Sequence, residues 1–154
     1  KVYNNLFALA GKFEKRSYNV EKIRWNQSFS VGVAKLDEQH NRIIDMINLL
    51  IENAEPDIRS EPISDTLTRM TKYTEEHFET EEQLLAQYAY PELLSHKEEH
   101  AVFCKKTAAF CLDTMSYKTS VPEEILLYLN DWWTNHILTI DMRYRSFFKE
   151  RNIT

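Results

Sequence analysis

Four stretches of this 154-residue chain carry apolar residues at helical spacing, and all five histidines fall on those apolar stripes. Apolar residues that recur three and four positions apart form one continuous face of an α-helix. The carboxylate of Glu81 falls on the same kind of stripe. Burying so many ionisable groups without partners would cost a free energy comparable with the net stability of a domain, about 5–15 kcal/mol. The chain therefore has to satisfy these groups in its core. The histidines are His40, His77, His96, His100 and His136.

The stripes predict four long helices joined by short connections. Asp37 is a suitable N-cap for the first helix, and Pro91 and Pro122 suit the first positions of the third and fourth. Long amphipathic helices with short connections favour an all-α, up-down-up-down antiparallel four-helix bundle. The predicted helices cover about residues 37–54, 62–88, 91–110 and 122–148.

Composition and charge limit the classes of function. With 43% apolar residues, 28% charged residues and only two glycines, the chain is typical of one helical domain, residues 25–150. Residues 1–24 hold six basic residues and two glutamates (+4), and we interpret them as an N-terminal extension or the tail of an upstream segment. The remaining 13 basic and 22 acidic residues (−9) argue against nucleic-acid binding. The sequence has no 18-residue apolar run, so no membrane span is predicted.

The two cysteines, Cys104 and Cys111, lie seven residues apart in one helical pattern. That separation is about 10 Å along a helix, too far for a disulfide between them. We interpret both as small buried residues in a reducing compartment, and we expect a cytoplasmic protein.

A metal ion would satisfy the buried groups, because it binds the imidazole lone pair and compensates the carboxylate charge. Residues four apart lie on one face of a helix, about one turn from each other. His77 with Glu81, and His96 with His100, would therefore each present two donors to one centre.

The number of candidate ligands indicates two metal ions. Glu81 and Asp141 can each bridge two ions through their two oxygens, which leaves five imidazoles divided three and two. A solvent-derived bridging oxygen would complete the coordination of one ion at six ligands. The other ion would have five ligands and one open coordination position. Asp141 follows His136 by five residues, about 140° on a regular helix, so we expect it to reach the metals from the flank or through a widened turn. The candidate ligands are His40, His77, Glu81, His96, His100, His136 and Asp141.

Mixed nitrogen and oxygen ligands suit iron or manganese better than structural zinc, which usually closes at four ligands. Di-iron oxidases built in helix bundles are rich in carboxylates. Five neutral imidazoles with two carboxylates are better matched to reversible O2 binding.

The motifs "HFETE", "HKEEH" and "HILTID" follow a first histidine in "SFSVGVAKLDEQH". This pattern, H…HxxxE…HxxxH…HxxxxD over about residues 25–150, resembles that of the hemerythrins, specifically the bacterial hemerythrin-like domains. The resemblance implies two non-heme iron ions with an oxo or hydroxo bridge. It also implies that one iron is held by three histidines and the other by two, with two bridging carboxylates. The three-histidine iron would be held by His96, His100 and His136, and the two-histidine iron by His40 and His77. The bridging carboxylates would be Glu81 and Asp141.

The resemblance implies reversible O2 binding, by a carrier or store, or by the O2- or redox-sensing domain of a longer signalling protein. The alternative is a di-iron enzyme that reduces peroxide or nitric oxide, and this would need a proton donor near the open iron. The acidic residues close to the motifs fall off the apolar stripes, so we expect them on the outer face and predict a protein that is not an enzyme. A purely structural metal site would not need an open position. These acidic residues are Glu79, Glu82, Glu98 and Glu99.

The open position is expected at the iron held by His40 and His77, since two imidazoles leave it one ligand short. Apolar residues next to a ligand, or one helical turn from one, would form the O2 pocket, unless they are ordinary core residues. We expect Trp133 to be closer to this pocket than Trp132. The predicted pocket residues are Ile43, Ile44, Phe78, Trp133 and Ile137.

Overall fold

The computed structural model of the protein describes residues 20–53 and 57–153. A single 3₁₀ turn, Gln27–Phe29, precedes the first long helix. Backbone dihedrals stay helical across both junctions of the last three elements, so these form one continuous rod. The helical elements are α1 (Ala34–Glu52), α2 (Glu61–Gln87), α3 (Leu93–Met115), α4 (Val121–Asp131), a π-helical segment (Trp132–Asp141) and α5 (Met142–Glu150).

The four rods pack as a ring. α1 contacts α2 and α4, and α3 likewise contacts α2 and α4, so α1 and α3 lie diagonally across the bundle. Short connections reverse the chain between successive rods. The predicted all-α four-helix bundle is confirmed, and the described residues contain no strand.

The core of the bundle has an apolar cluster on each side of a polar layer. The larger cluster contains Ile47, Met70 and Phe110, and the smaller one contains Leu36 and Phe148. The histidines and the two buried carboxylates lie along the helices between these clusters. The apolar cores on both sides fix the four rods, and thereby the polar layer.

Asp37 does not occupy the predicted N-cap position. Helix α1 begins earlier, at Ala34, with Val33 at the cap. The Asp37 carboxylate instead accepts hydrogen bonds from the Ser30 hydroxyl (2.5 Å) and from the Val31 backbone N–H (2.8 Å). Its role is to anchor the incoming chain to the first turn of the helix.

Pro91 and Cys104 also depart from their predicted environments. Pro91 lies in the turn before α3, which begins two residues later, because Ala89 adopts a left-handed conformation (φ 54°) that reverses the chain there. Pro122 is the second residue of α4, close to its predicted place. Cys104 is exposed and Cys111 half-buried, since the inward row of α3 passes through His100 and Phe103 rather than through the cysteines.

Residues 1–19 of the predicted N-terminal extension lie outside the described residues. Within the rest of the extension, Ile23 pairs with α1, donating from its backbone N–H to Asn48 Oδ1 (2.9 Å) and accepting from Asn48 Nδ2 (2.8 Å). Lys22 forms an ion pair with Glu52 (2.8 Å). Among the described residues, no helix is both long and apolar enough to cross a membrane.

The π-helical segment absorbs one extra residue in the fourth rod. His136 and Asp141 are five apart in sequence, yet both are buried. An α-helix would rotate them about 140° apart, whereas an i→i+5 turn returns the chain to the same face. The widened turn expected from the sequence is thus present, and it carries Asp141 into the core.

If the π-helical segment holds one inserted residue, deleting an exposed residue inside it should be tolerated. We expect deletion of Thr139 to convert the segment to α-helix, keep His136 and Asp141 on one face, and change the free energy of unfolding by less than about 2 kcal/mol. Deleting exposed Ser146 in regular α5 should cost about 3 kcal/mol or more, because it rotates Phe148 out of the core. Urea denaturation and metal content measure both. Equal destabilisation by the two deletions would contradict this account.

Candidate metal centre

The seven predicted ligand residues meet at the centre of the bundle. Each is at most 3% exposed. Their donor atoms form two groups, in each of which every ligand atom lies within 4.8 Å of the others. The groups are His96, His100 and His136, and His40, His77, Glu81 and Asp141.

Glu81 spans the two groups through its two oxygens. Its Oε2 lies 2.8 Å from Nε2 of His77, and its Oε1 lies 2.8 Å from Nε2 of His96. Nε2 of His100 lies 3.8 Å from Oε2. One carboxylate therefore faces imidazoles from both α2 and α3.

Asp141 does the same from the opposite side of the layer. Its Oδ2 lies 3.2 Å from Nε2 of His40, while its Oδ1 lies 3.2 Å from Nε2 of His136 and 3.6 Å from Nε2 of His96. The π-helical turn makes this possible, because it brings Asp141 back to the face that carries His136.

These close contacts do not have hydrogen-bond directions. Nε2 of all five histidines, and both oxygens of Glu81 and of Asp141, are buried without a hydrogen-bond partner. Leaving a buried polar atom unpaired costs about 1–3 kcal/mol, and more for a charged one. Nine converging lone-pair atoms of this kind fit metal coordination, in which one cation can satisfy several of them.

The electrostatics of the layer also favour a cation. Burial opposes ionisation of Glu81, but His77 and His96 hold the pKa of its carboxyl well below the usual range. Burial lowers the pKa of the His100 imidazole to about 4, so its ring is neutral at pH 7. For His40, burial is outweighed by Asp141, and its pKa is raised. The layer thus combines anionic carboxylates, a neutral imidazole and a position where positive charge is favoured.

Two side chains outside the layer fix the orientation of ligand rings. Gln39, next to His40 and 1% exposed, places its Oε1 3.1 Å from Nδ1 of His77. Glu82 places Oε1 2.9 Å from Nδ1 of His100 and also pairs with Lys97 (2.9 Å). An oxygen acceptor at Nδ1 puts the ring proton there and leaves the Nε2 lone pair for the metal side.

The prediction that Glu82 is a solvated outer charge is wrong. Its side chain is only 21% exposed, because it lies in the groove between α2 and α3 against His100. Glu79, Glu98 and Glu99 are exposed, as predicted. Gln39 was not singled out by the sequence, although its position directly before His40 and on the inner half of α1 was a usable signal.

Aromatic rings enclose the histidines more closely than the sequence suggested. Tyr73 stacks on His77, with ring centroids 4.4 Å apart, and is 1% exposed. Trp132 stacks on His136 at 3.7 Å. Both rings precede their histidine by four residues, the spacing that places two side chains on one helix face. That spacing could have identified them.

All predicted pocket residues are buried, but not all face the predicted position. Phe78 stacks on His100 at 3.8 Å and lies 5.7 Å from His77, so it contacts both groups of donors. The ring of Trp133 packs edge-on against Phe29 at 5.2 Å. Trp132, ranked below Trp133 from the sequence, has the closer contact with a histidine. Ile43, Ile44 and Ile137 belong to the larger apolar cluster.

A four-helix bundle with these donors at its centre belongs to the class of metal-binding bundle domains. A family model described as "Hemerythrin HHE cation binding domain" matches residues 31–146. The chain belongs to the hemerythrin family.

Curated relatives agree with this assignment. The chain is 31% identical over 125 residues to a bacteriohemerythrin of Stenotrophomonas maltophilia (strain R551-3), covering 81% of this chain and 80% of the relative. It is 31% identical over 124 residues to a bacteriohemerythrin of Clostridium acetobutylicum, covering 78% and 96%. It is 30% identical over 126 residues to a myohemerythrin of Theromyzon tessulatum, covering 82% and 93%. The expected bacterial hemerythrin-like domain is confirmed.

The contact between Glu82 and His100 can be tested by substitution. Glu82→Leu leaves Nδ1 of His100 without an acceptor, and we expect ferrous-iron affinity to fall roughly 10–100-fold, as for other outer partners of ligating histidines. Glu82→Gln keeps an oxygen acceptor and should stay within roughly threefold of wild type. Chelator competition under anaerobic conditions measures these affinities. Exposed Glu75→Leu is the control, and an affinity loss no larger for Glu82→Leu than for Glu75→Leu would contradict the role.

Proposed function

We propose that this protein binds O2 reversibly at a non-heme di-iron site. The observation that supports this most directly is the placement of two carboxylates, Glu81 and Asp141. In each, one oxygen faces the first group of donors and the other oxygen faces the second group. In the proposed assignment, His96, His100 and His136 would hold one iron, and His40 and His77 would hold the other. Glu81 and Asp141 would supply carboxylate oxygens to both.

The protein's own residues would prepare the site for this task. When bound, the iron pair supplies the electrons that O2 binding requires. The acceptors on Gln39 and Glu82 keep His77 and His100 in the tautomer that binds a metal. Buried Ile43, Ile44 and Phe78 exclude water from the layer, which would slow loss of the bound ligand.

The site is poorly equipped with acids for the alternative reaction, reduction of peroxide or nitric oxide. Tyr73 and Tyr144 place buried phenols beside the layer, with rings against His77 and His96, and burial raises the pKa of both phenols well above their usual value. The Glu82 carboxylate contacts Nδ1 of His100 and the Lys97 ammonium, and so lies on the outer side of the His100 ring. These groups favour O2 binding without proton delivery from the protein.

We further propose that the domain acts either as an O2 carrier or store, or as the O2- or redox-sensing part of a longer signalling protein. Its ligand would be O2 in each case. A carrier and a sensor would bind O2 by the same chemistry. They would differ only in whether the bundle is joined to a signalling domain. A cytoplasmic location remains our prediction.

An optical experiment tests the proposed function. Iron-loaded protein should be nearly colourless when reduced without air, gain a visible charge-transfer band on exposure to O2, and lose that band under argon over repeated cycles. A zinc-loaded sample is the control. Irreversible bleaching, or a band that forms only once because the irons stay oxidised under argon, would favour the enzyme over the O2 carrier.

The apolar wall gives a second prediction. Ile44→Asp brings a charge and water to the layer, and we expect the oxygenated protein to autoxidise at least about 10-fold faster. Trp133→Ala should have a smaller effect in the same direction if its ring lines the O2 pocket. Stopped-flow decay of the oxygenated band measures the rates. Leu126→Ala, a core change toward the bundle end, is the control, and equal decay in all three variants would refute the pocket assignment.

A further inference from the structure

Helix α3 is apolar on two opposite faces, and only one of them is covered within the bundle. His96, His100, Phe103, Thr107 and Phe110 point inward and are buried. The outer face carries large apolar side chains exposed to solvent. Their exposed fractions are 79% for Leu94, 56% for Val102, 64% for Leu112 and 76% for Met115.

The outer face has the spacing of a helix-pairing surface. Leu94, Ala101, Ala108 and Met115 recur every seven residues, and all four are exposed. A second row, four residues further along, consists of Glu98, Lys105 and Leu112. Two rows in a seven-residue repeat are the pattern by which one helix packs lengthwise against another. Over 23 residues the helix offers a strip about 34 Å long.

The charges on this strip fit a second copy of the same strip. Glu98 and Lys105 are exposed, and neither forms an ion pair with another described residue. If two α3 helices run antiparallel about a two-fold axis that lies midway between Glu98 and Lys105, Glu98 of each copy lies opposite Lys105 of the other. A parallel arrangement would instead place like charges together, which is unfavourable.

The same axis also matches the apolar residues by size. An axis midway between Glu98 and Lys105 passes beside Ala101, whose small side chain allows two helices to approach closely. Leu94 of one copy then lies over Ala108 and Ala109 of the other, next to Leu112. Leu94 and Val102 of each copy thus face alanines of the other.

We propose that this protein forms a two-fold symmetric dimer through the outer face of α3, with the two α3 helices antiparallel and Glu98 paired with Lys105 across the interface. The proposal rests on the exposed surface alone and does not depend on the metal or on O2 binding. Its consequence is that the helix carrying His96 and His100 on its inner face carries the dimer interface on its outer face.

Sedimentation velocity of the full chain, over a wide concentration range, tests the proposal. Wild type should dimerise. Glu98→Lys places lysines opposite lysines twice per dimer, and the dissociation constant should rise roughly 10-fold or more. Adding Lys105→Glu restores opposite charges, and the double variant should return to within roughly threefold of wild type. Ala101→Glu places a long charged side chain at the helix crossing and should abolish the dimer.

Asp45→Lys is the control, because it changes net charge by the same amount as Glu98→Lys, on the exposed side of α1 across the bundle. It should leave the dissociation constant unchanged. Circular dichroism of each variant checks that the bundle is folded, and all four substituted positions are exposed. A wild-type chain that stays monomeric throughout overturns the proposal and leaves the strip to another segment or protein. A dimer indifferent to Ala101→Glu, or one not restored by the charge exchange, overturns it as well.

Discussion

Two buried carboxylates, Glu81 and Asp141, are the charges around which this bundle is arranged. Neither is exposed. In each, one oxygen faces one group of imidazoles and the other oxygen faces the second group. A buried anion without compensation would be too costly for a domain of ordinary stability. The five histidines alone do not solve this problem, because their Nε2 atoms also lack hydrogen-bond partners. Bound cations between the rings and the carboxylates would satisfy both sets of atoms at once.

The rest of the fold serves this polar layer. Apolar clusters on both sides hold the rods in register, and the π-helical segment turns Asp141 into the layer at the cost of one inserted residue. Aromatic rings from Tyr73 and Trp132 cover the histidines, while Gln39 and Glu82 orient them. α3 carries His96 and His100 on its inner face and an apolar strip on its outer face. The site and the surface therefore share one helix.

Much of this could be predicted from residue spacing. Periodicity identified the four rods, and the histidine and carboxylate spacings identified the seven residues that meet at the centre of the bundle. Of the two geometries expected for Asp141, a position on the flank or a widened turn, the structure has the widened turn. What escaped prediction depends on packing between helices. Glu82 lies off the stripe of α2, yet the groove against α3 draws it onto His100. Trp132 stacks on His136, a contact that their four-residue spacing indicates. The packing of Trp133 against Phe29 depends instead on the path of the chain before α1, which spacing within one helix does not contain.

Titration of metal-free protein with ferrous iron, without air, measures whether two metal ions share the carboxylates of one bundle. Wild type should take up two irons per chain, with quenching of the fluorescence of the stacked Trp132 as the sites fill. Glu81→Ala removes the carboxylate that faces both groups, so it should hold at most one iron tightly. A single iron per wild-type chain, or two tightly held irons in Glu81→Ala, would show that Glu81 is not shared between two metal ions.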